Sequence, residues 1–116
     1  MKTLTCWSAV AVAGCFAFGA AACENPAVVS IPDGKTSTYD QMIAGQGQVK
    51  AYQTKMTAYL ACIDAESDSQ GEKAPNEYKA LMVNRHNAAV AEMEGIAAAF
   101  NTALKAYKAA NPTPAK

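Results

Sequence analysis

The sequence predicts an all-α protein, an antiparallel two-helix hairpin with an extended N-terminal segment packed along it. Three observations predict this class. Apolar residues recur at Met42, Val49, Met56 and Ile63, and Tyr52 and Tyr59 stand three residues after Val49 and Met56. Steps of seven with a partner at plus three mark one face of a long helix, the pattern of a coiled coil. A second helical stripe runs through Tyr78, Met82, Ala89, Met93, Ile96, Phe100, Ala103 and Tyr107. Only one short polar stretch separates the two, and helices joined in that way fold back on each other.

Residues 1–22 stand apart from this domain. Met1-Lys2 is followed by a run of apolar and small residues from Leu4 to Ala22, ending in Ala20-Ala21-Ala22. A positive start, an apolar stretch and an A-x-A site make a secretory signal peptide, with cleavage expected after Ala22. A retained membrane helix needs about 20 apolar residues, which the run only just reaches. No cluster of Lys or Arg follows to stop transfer. Export places the remaining chain in an oxidising compartment, periplasmic or secreted. Of the four cysteines, Cys6 and Cys15 leave with the leader, so Cys23 and Cys62 remain as one possible pair. A Cys23–Cys62 disulfide is therefore expected. The alternative is a small lipoprotein tethered through Cys15, after Val12-Ala13-Gly14, or through Cys23, after Ala20-Ala21-Ala22. A lipid on Cys23 would leave Cys62 as a free thiol.

Residues 23–37, "CENPAVVSIPDGKTS", contain two prolines, Val28-Val29 with Ile31, and a Pro-Asp-Gly turn signal. They read as an extended segment ending in a turn. The helical domain follows over 38–110. Thr38 with Gln41 three residues on is a capping box, and Asp40 suits the positive end of a helix. Gly45 and Gly47 weaken the second turn of this helix by about 1 kcal/mol each relative to Ala, and a soft spot is the expectation for both. The periodic pattern stops at Ile63, and "DAESDSQGEKAP", residues 64–75, reads as a polar inter-helix loop. An EF-hand loop beginning at Asp64 would need Gly at position 69 and Glu at 75, where the chain has Ser69 and Pro75. A second helix is predicted from about Asn76 to Ala109, with Lys105 and Lys108 in its last turns. Residues 111–116, "NPTPAK", form a flexible tail.

Reach allows the disulfide. Cys62 lies about 36 Å along the first helix from Thr38 at helical rise. The segment from Cys23 to Thr38 spans at most about 50 Å when extended. Turning at Pro32-Asp33-Gly34, it can run back antiparallel to the helix, with Val28, Val29 and Ile31 in the groove of the hairpin.

Charge and motif content narrow the function classes. Lys plus Arg and Asp plus Glu number ten each, and removal of Lys2 leaves nine against ten. No basic patch for nucleic acid and no basic amphipathic face for an anionic membrane is visible. The chain has no G-x-S-x-G, H-E-x-x-H, C-x-x-C or glycine-rich phosphate loop. One histidine and one cysteine pair give thiol or acid–base catalysis few players. No enzyme activity and no cofactor are expected. The single histidine, His86, lies four residues after Met82 on one helix face. Met with His is a copper donor set, so a metal-binding protein using these two is a minor alternative. Arg85 is the one charge near the second stripe. With Tyr52 and Tyr59 it forms the candidate interface, because tyrosines anchor contacts and arginine tolerates partial burial.

Residues 31–66, with "IPDG", "VKAY" and "YLAC", resemble an uncharacterised family of small exported proteobacterial proteins. The likeness covers about a third of the chain. It implies export and a helical fold, and carries no activity and no functional residues. The expectation for function is a non-enzymatic periplasmic or cell-envelope protein that binds a protein partner or itself.

Overall fold

The computed structural model describes residues 22–112. The expected leader falls outside these residues apart from Ala22, as do the last four residues of the expected tail. Within them the chain forms α1, Tyr39–Gln70, and α2, Asn76–Ala110, packed against each other, with no strand among the described residues. At 1.5 Å per residue the helices are about 48 and 52 Å long. Moving back along α1 moves forward along α2: Glu66 reaches Tyr78, and Tyr52 reaches Glu92. The pair is thus an antiparallel hairpin.

α1 begins where its capping box places it. The Thr38 amide donates to Gln41 Oε1 at 2.8 Å, and the Gln41 amide donates to Thr38 Oγ1 at 3.2 Å. Its end departs from expectation. Residues 64–70 are helical, so the inter-helix loop is 71–75 rather than 64–75. The polar run lacks a breaker before Gly71, and its outer residues face solvent at no cost to the helix. Glu66 and Ser67 are half-buried against the partner helix, which gives these two turns tertiary support. Gly71 stops α1. Its φ of 70° and ψ of −172° lie in a region essentially restricted to glycine, and its amide caps Asp68 O at 3.1 Å. The Lys79 ammonium crosses the loop to Glu72 O at 2.6 Å. α2 ends one residue beyond expectation, where the Asn111 amide and side chain both donate to Tyr107 O.

The buried residues of α1 are Met42, Gly45, Val49, Tyr52, Met56, Tyr59 and Ile63. Steps of three and four alternate without exception, which is a narrow a/d seam. α2 answers with Met82, Ala89, Phe100 and Ala103, the two alanines letting the helices approach. Two core clusters result. Tyr52, Met56, Tyr59 and Ile63 meet Met82 and Ala89 near the loop, and Met42 and Val49 meet Phe100 and Ala103 near the far end.

Two helices cannot cover both seams, and the N-terminal segment lies across the trough they leave. Cys23 is bonded to Cys62, with Cα atoms 5.7 Å apart. Val29 packs on both clusters and Ile31 on the far one. The segment therefore runs antiparallel to α1, as its reach allows. It turns at Asp33, whose carbonyl accepts from the Thr36 and Ser37 amides and whose Oδ1 accepts from the Lys35 amide. No backbone–backbone hydrogen bond among the described residues involves 22–32. Two half-buried apolar side chains are little against the entropy of fixing so many residues. The disulfide makes up the difference: closing a loop of 39 residues contributes about 4 kcal/mol in the chain-entropy account.

Close approach explains two glycines. A Cβ on Gly34 would stand 1.8 Å from Ala103 O, so the turn lies flat on the backbone of α2. A Cβ on Gly45 would stand 2.7 and 2.8 Å from the ring of Pro32. Gly45 is thus the seat of the segment and not a soft spot, whereas Gly47 has nothing within 4 Å and keeps that reading. These positions make a paired prediction for urea unfolding. Gly47→Ala should stabilise the protein by about 0.5–1 kcal/mol, the helix-propensity difference. Gly45→Ala should lose that gain and destabilise, because Pro32 must lift. A stabilised Gly45→Ala protein would show that Pro32 does not sit there.

Candidate functional site

The chemistry-bearing side chains gather where the two seams become polar, beside the disulfide. Glu66 continues the α1 seam one step past Ile63, and Arg85 fills the α2 seam between Met82 and Ala89. Arg85 Nη1 donates to both carboxylate oxygens of Glu66 at 3.4 Å and contacts Met82 Sδ at 3.5 Å. Its guanidinium carbon stands 6.0 Å from the centroid of the Tyr59 ring, the outer limit of a cation–π contact. Glu66 O also accepts from the Tyr78 hydroxyl at 3.5 Å. On the other side of Met82, His86 Nδ1 lies 3.2 Å from Asp64 Oδ1. Asp64, Met82, Val83 and His86 line one shallow cleft there. Glu66 and Arg85 line another together with Cys23 and Cys62.

Asp64 and Glu66 were expected in a solvated loop. The structure instead places them on helix α1, facing α2. The signal was present: the alternation of three and four carried past Ile63 reaches Glu66, but its charge disguises the seam. Glu92, which no pattern singled out, receives a strong polar contact from the core. The Tyr52 hydroxyl donates to Glu92 Oε1 at 2.7 Å, and Tyr52 is only 1% exposed.

The candidate interface residues all lie at the helix–helix contact. Tyr52 and Tyr59 are buried in the core of their own chain, and Arg85 is half-buried across from Glu66. In this chain they hold α1 to α2. Cys23 and Cys62 are joined as expected. Met82 and His86 line the same cleft, but Met82 is 5% exposed and its sulfur is turned to Arg85. Among the described residues no three of His, Cys, Asp and Glu converge on a point that would hold a metal ion. No described helix is long and apolar enough to cross a membrane. No protein family, curated protein or solved structure matches this chain.

The arrangement joins the two helices. Each polar pair spans α1 and α2, and each fixes their register. Burial, then the hydrogen bond to Glu92 and its charge, pushes the Tyr52 hydroxyl up to about 12. The sign follows from linkage. The unfolded phenol titrates near 10, so its contribution is fully present below about pH 10 and is lost as pH rises through about 12. A spectrophotometric titration should show one tyrosine ionising near 12, together with unfolding. Tyr52→Phe should abolish that step. Its survival would move the shifted group elsewhere.

Arg85 and Glu66 are each partly exposed, so their pairing is worth at most about 1 kcal/mol. The stem of Arg85 on the core contributes as well. Arg85→Ala should cost about 1–2 kcal/mol in equilibrium unfolding, and Arg85→Met should recover most of it. Equal losses in the two variants would assign the effect to charge rather than packing.

Proposed function

We propose that this chain is an exported protein that works in the periplasm or beyond as a non-enzymatic helical module, binding a protein partner or a second copy of itself. The observation that carries the reading is the bond between Cys23 and Cys62. Structural disulfides belong to oxidising compartments. Cys23 follows directly on Ala20-Ala21-Ala22, the expected cleavage site. The sulfur that a lipid would need at Cys23 is engaged in that bond. The resemblance of residues 31–66 to small exported proteins points the same way.

The binding half of the reading rests on what the segment leaves uncovered. The seams themselves are filled within one chain. Tyr39 and Ile43, 64% and 49% exposed, stand at one end of the hairpin, and Leu81 and Val83, 54% and 58% exposed, at the other. Tyr39 and Ile43, four residues apart, share one face of α1, and large apolar side chains presented in that way are ordinary anchors for a helical partner.

Intact mass of the protein recovered from the envelope fraction tests export. The expected mass is that of a chain beginning at Cys23 and short of two hydrogens. A mass retaining residues 1–22, or carrying a diacylglycerol on a cysteine, would overturn it in favour of a retained leader or the lipoprotein. Sedimentation of the oxidised mature chain at micromolar concentration should show a dimer or larger species, which Tyr39→Ser with Ile43→Ser converts to monomer. A monomeric wild-type protein would remove self-association and leave binding to another protein.

A further inference from the structure

We propose that the Cys23–Cys62 bond is a latch operated by a dithiol reductant. Opening it releases residues 24–31 from the trough while α1 and α2 stay paired. The inference concerns the folded chain itself and does not depend on export.

Three features carry it. First, the segment is tied firmly at its two ends. At one end is the disulfide. At the other, the Asp33 turn and Gly34 lie on the backbone of α2, next to the Thr38 capping box. Between them the backbone has no backbone hydrogen-bond partner among the described residues, Val28 is 64% exposed, and only Val29 and Ile31 reach the core clusters. The packing of Val29 and Ile31 is little against the entropy that release returns to the span once the first tie is gone.

Second, the helix pair has ties of its own that do not pass through the segment. Tyr52 reaches Glu92, Glu66 reaches Arg85 and Asp64 lies against His86. Met56 and Ile63 belong to one cluster with Met82 and Ala89.

Third, the bond can be approached. Cys23 and Cys62 line two open clefts, one bordered by Lys55 and Tyr59, the other by Glu66 and Arg85. A thiolate of the dithiol attacks one sulfur and forms a mixed disulfide. The other sulfur leaves as a thiolate and takes up a proton. The second thiol of the reductant then displaces the remaining cysteine. Two cysteine thiols are formed, and the dithiol becomes a disulfide. What is uncovered is the part of the core clusters that Val29 and Ile31 had covered.

Methyl NMR with far-UV circular dichroism on the mature chain tests the latch, at low temperature with and without dithiothreitol. In the oxidised protein the Val29 methyls should show cross-peaks to side chains of the two core clusters. In reductant those cross-peaks should vanish, helical ellipticity should stay within about a tenth of its oxidised value, and fluorescence of a hydrophobic dye should rise several-fold. The Cys23→Ser, Cys62→Ser double variant should behave as the reduced protein without reductant. Persistence of the Val29 cross-peaks in reductant or in the double variant would overturn the proposal, because the segment would then be seated by its own contacts. Collapse of the helical signal together with the cross-peaks would overturn it too, because the bond would then staple the whole fold.

Discussion

Two helices offer each other one seam apiece, and the trough beside those seams must be filled or left to water. In this protein the Cys23–Cys62 bond decides which. It holds an extended segment that has little else to hold it, and that segment brings Val29 and Ile31 onto the two core clusters. A domain of this size has a small core, and the elongated shape of a simple hairpin thins it further. The disulfide acts by restricting the unfolded chain, which suits a protein whose native contacts are few.

The segment also determines what the helices can be made of. Gly45 occupies a seam position equivalent to those of Tyr52 and Tyr59, and a larger residue there would strike Pro32. Gly34 allows the turn to lie against Ala103. The alanines of α2 serve the same end from the other side. Backbone proximity replaces side-chain bulk in this half of the molecule, so the layer near Pro32 is closed by chain and not by large side chains.

Nearer the loop the seams change character. One layer consists of Glu66 and Arg85 instead of an apolar pair, and the neighbouring Asp64 and His86 meet at the surface. Such pairs add little net stability where water reaches them. Their use is geometric. A narrow apolar seam of repeated steps can slide by a turn, and charged partners at one layer, with the buried Tyr52–Glu92 hydrogen bond at another, penalise every register but one.

Much of this was written in the local pattern. The helix stripes, the capping box at Thr38 and the chain length between Cys23 and Cys62 are short-range or compositional properties. They determined the all-α class, the start of α1, the antiparallel hairpin and the pairing of Cys23 with Cys62. The end of α1 was not legible, because Asp64 and Glu66 look like loop residues until a partner helix supplies Arg85 and His86. The role of Gly45 was not legible either, since a glycine in a helix reads as weakness unless the residue pressing on it is known. Glu92 carried no signal at all, because its importance comes from Tyr52, forty residues away. The sequence by itself determined which segments are helical and that Cys23 can reach Cys62, because backbone periodicity and chain reach are properties of the chain alone. Only the tertiary structure decided which charges lie in the seam and which glycines are seats, because both depend on groups brought close by the fold and distant in the chain.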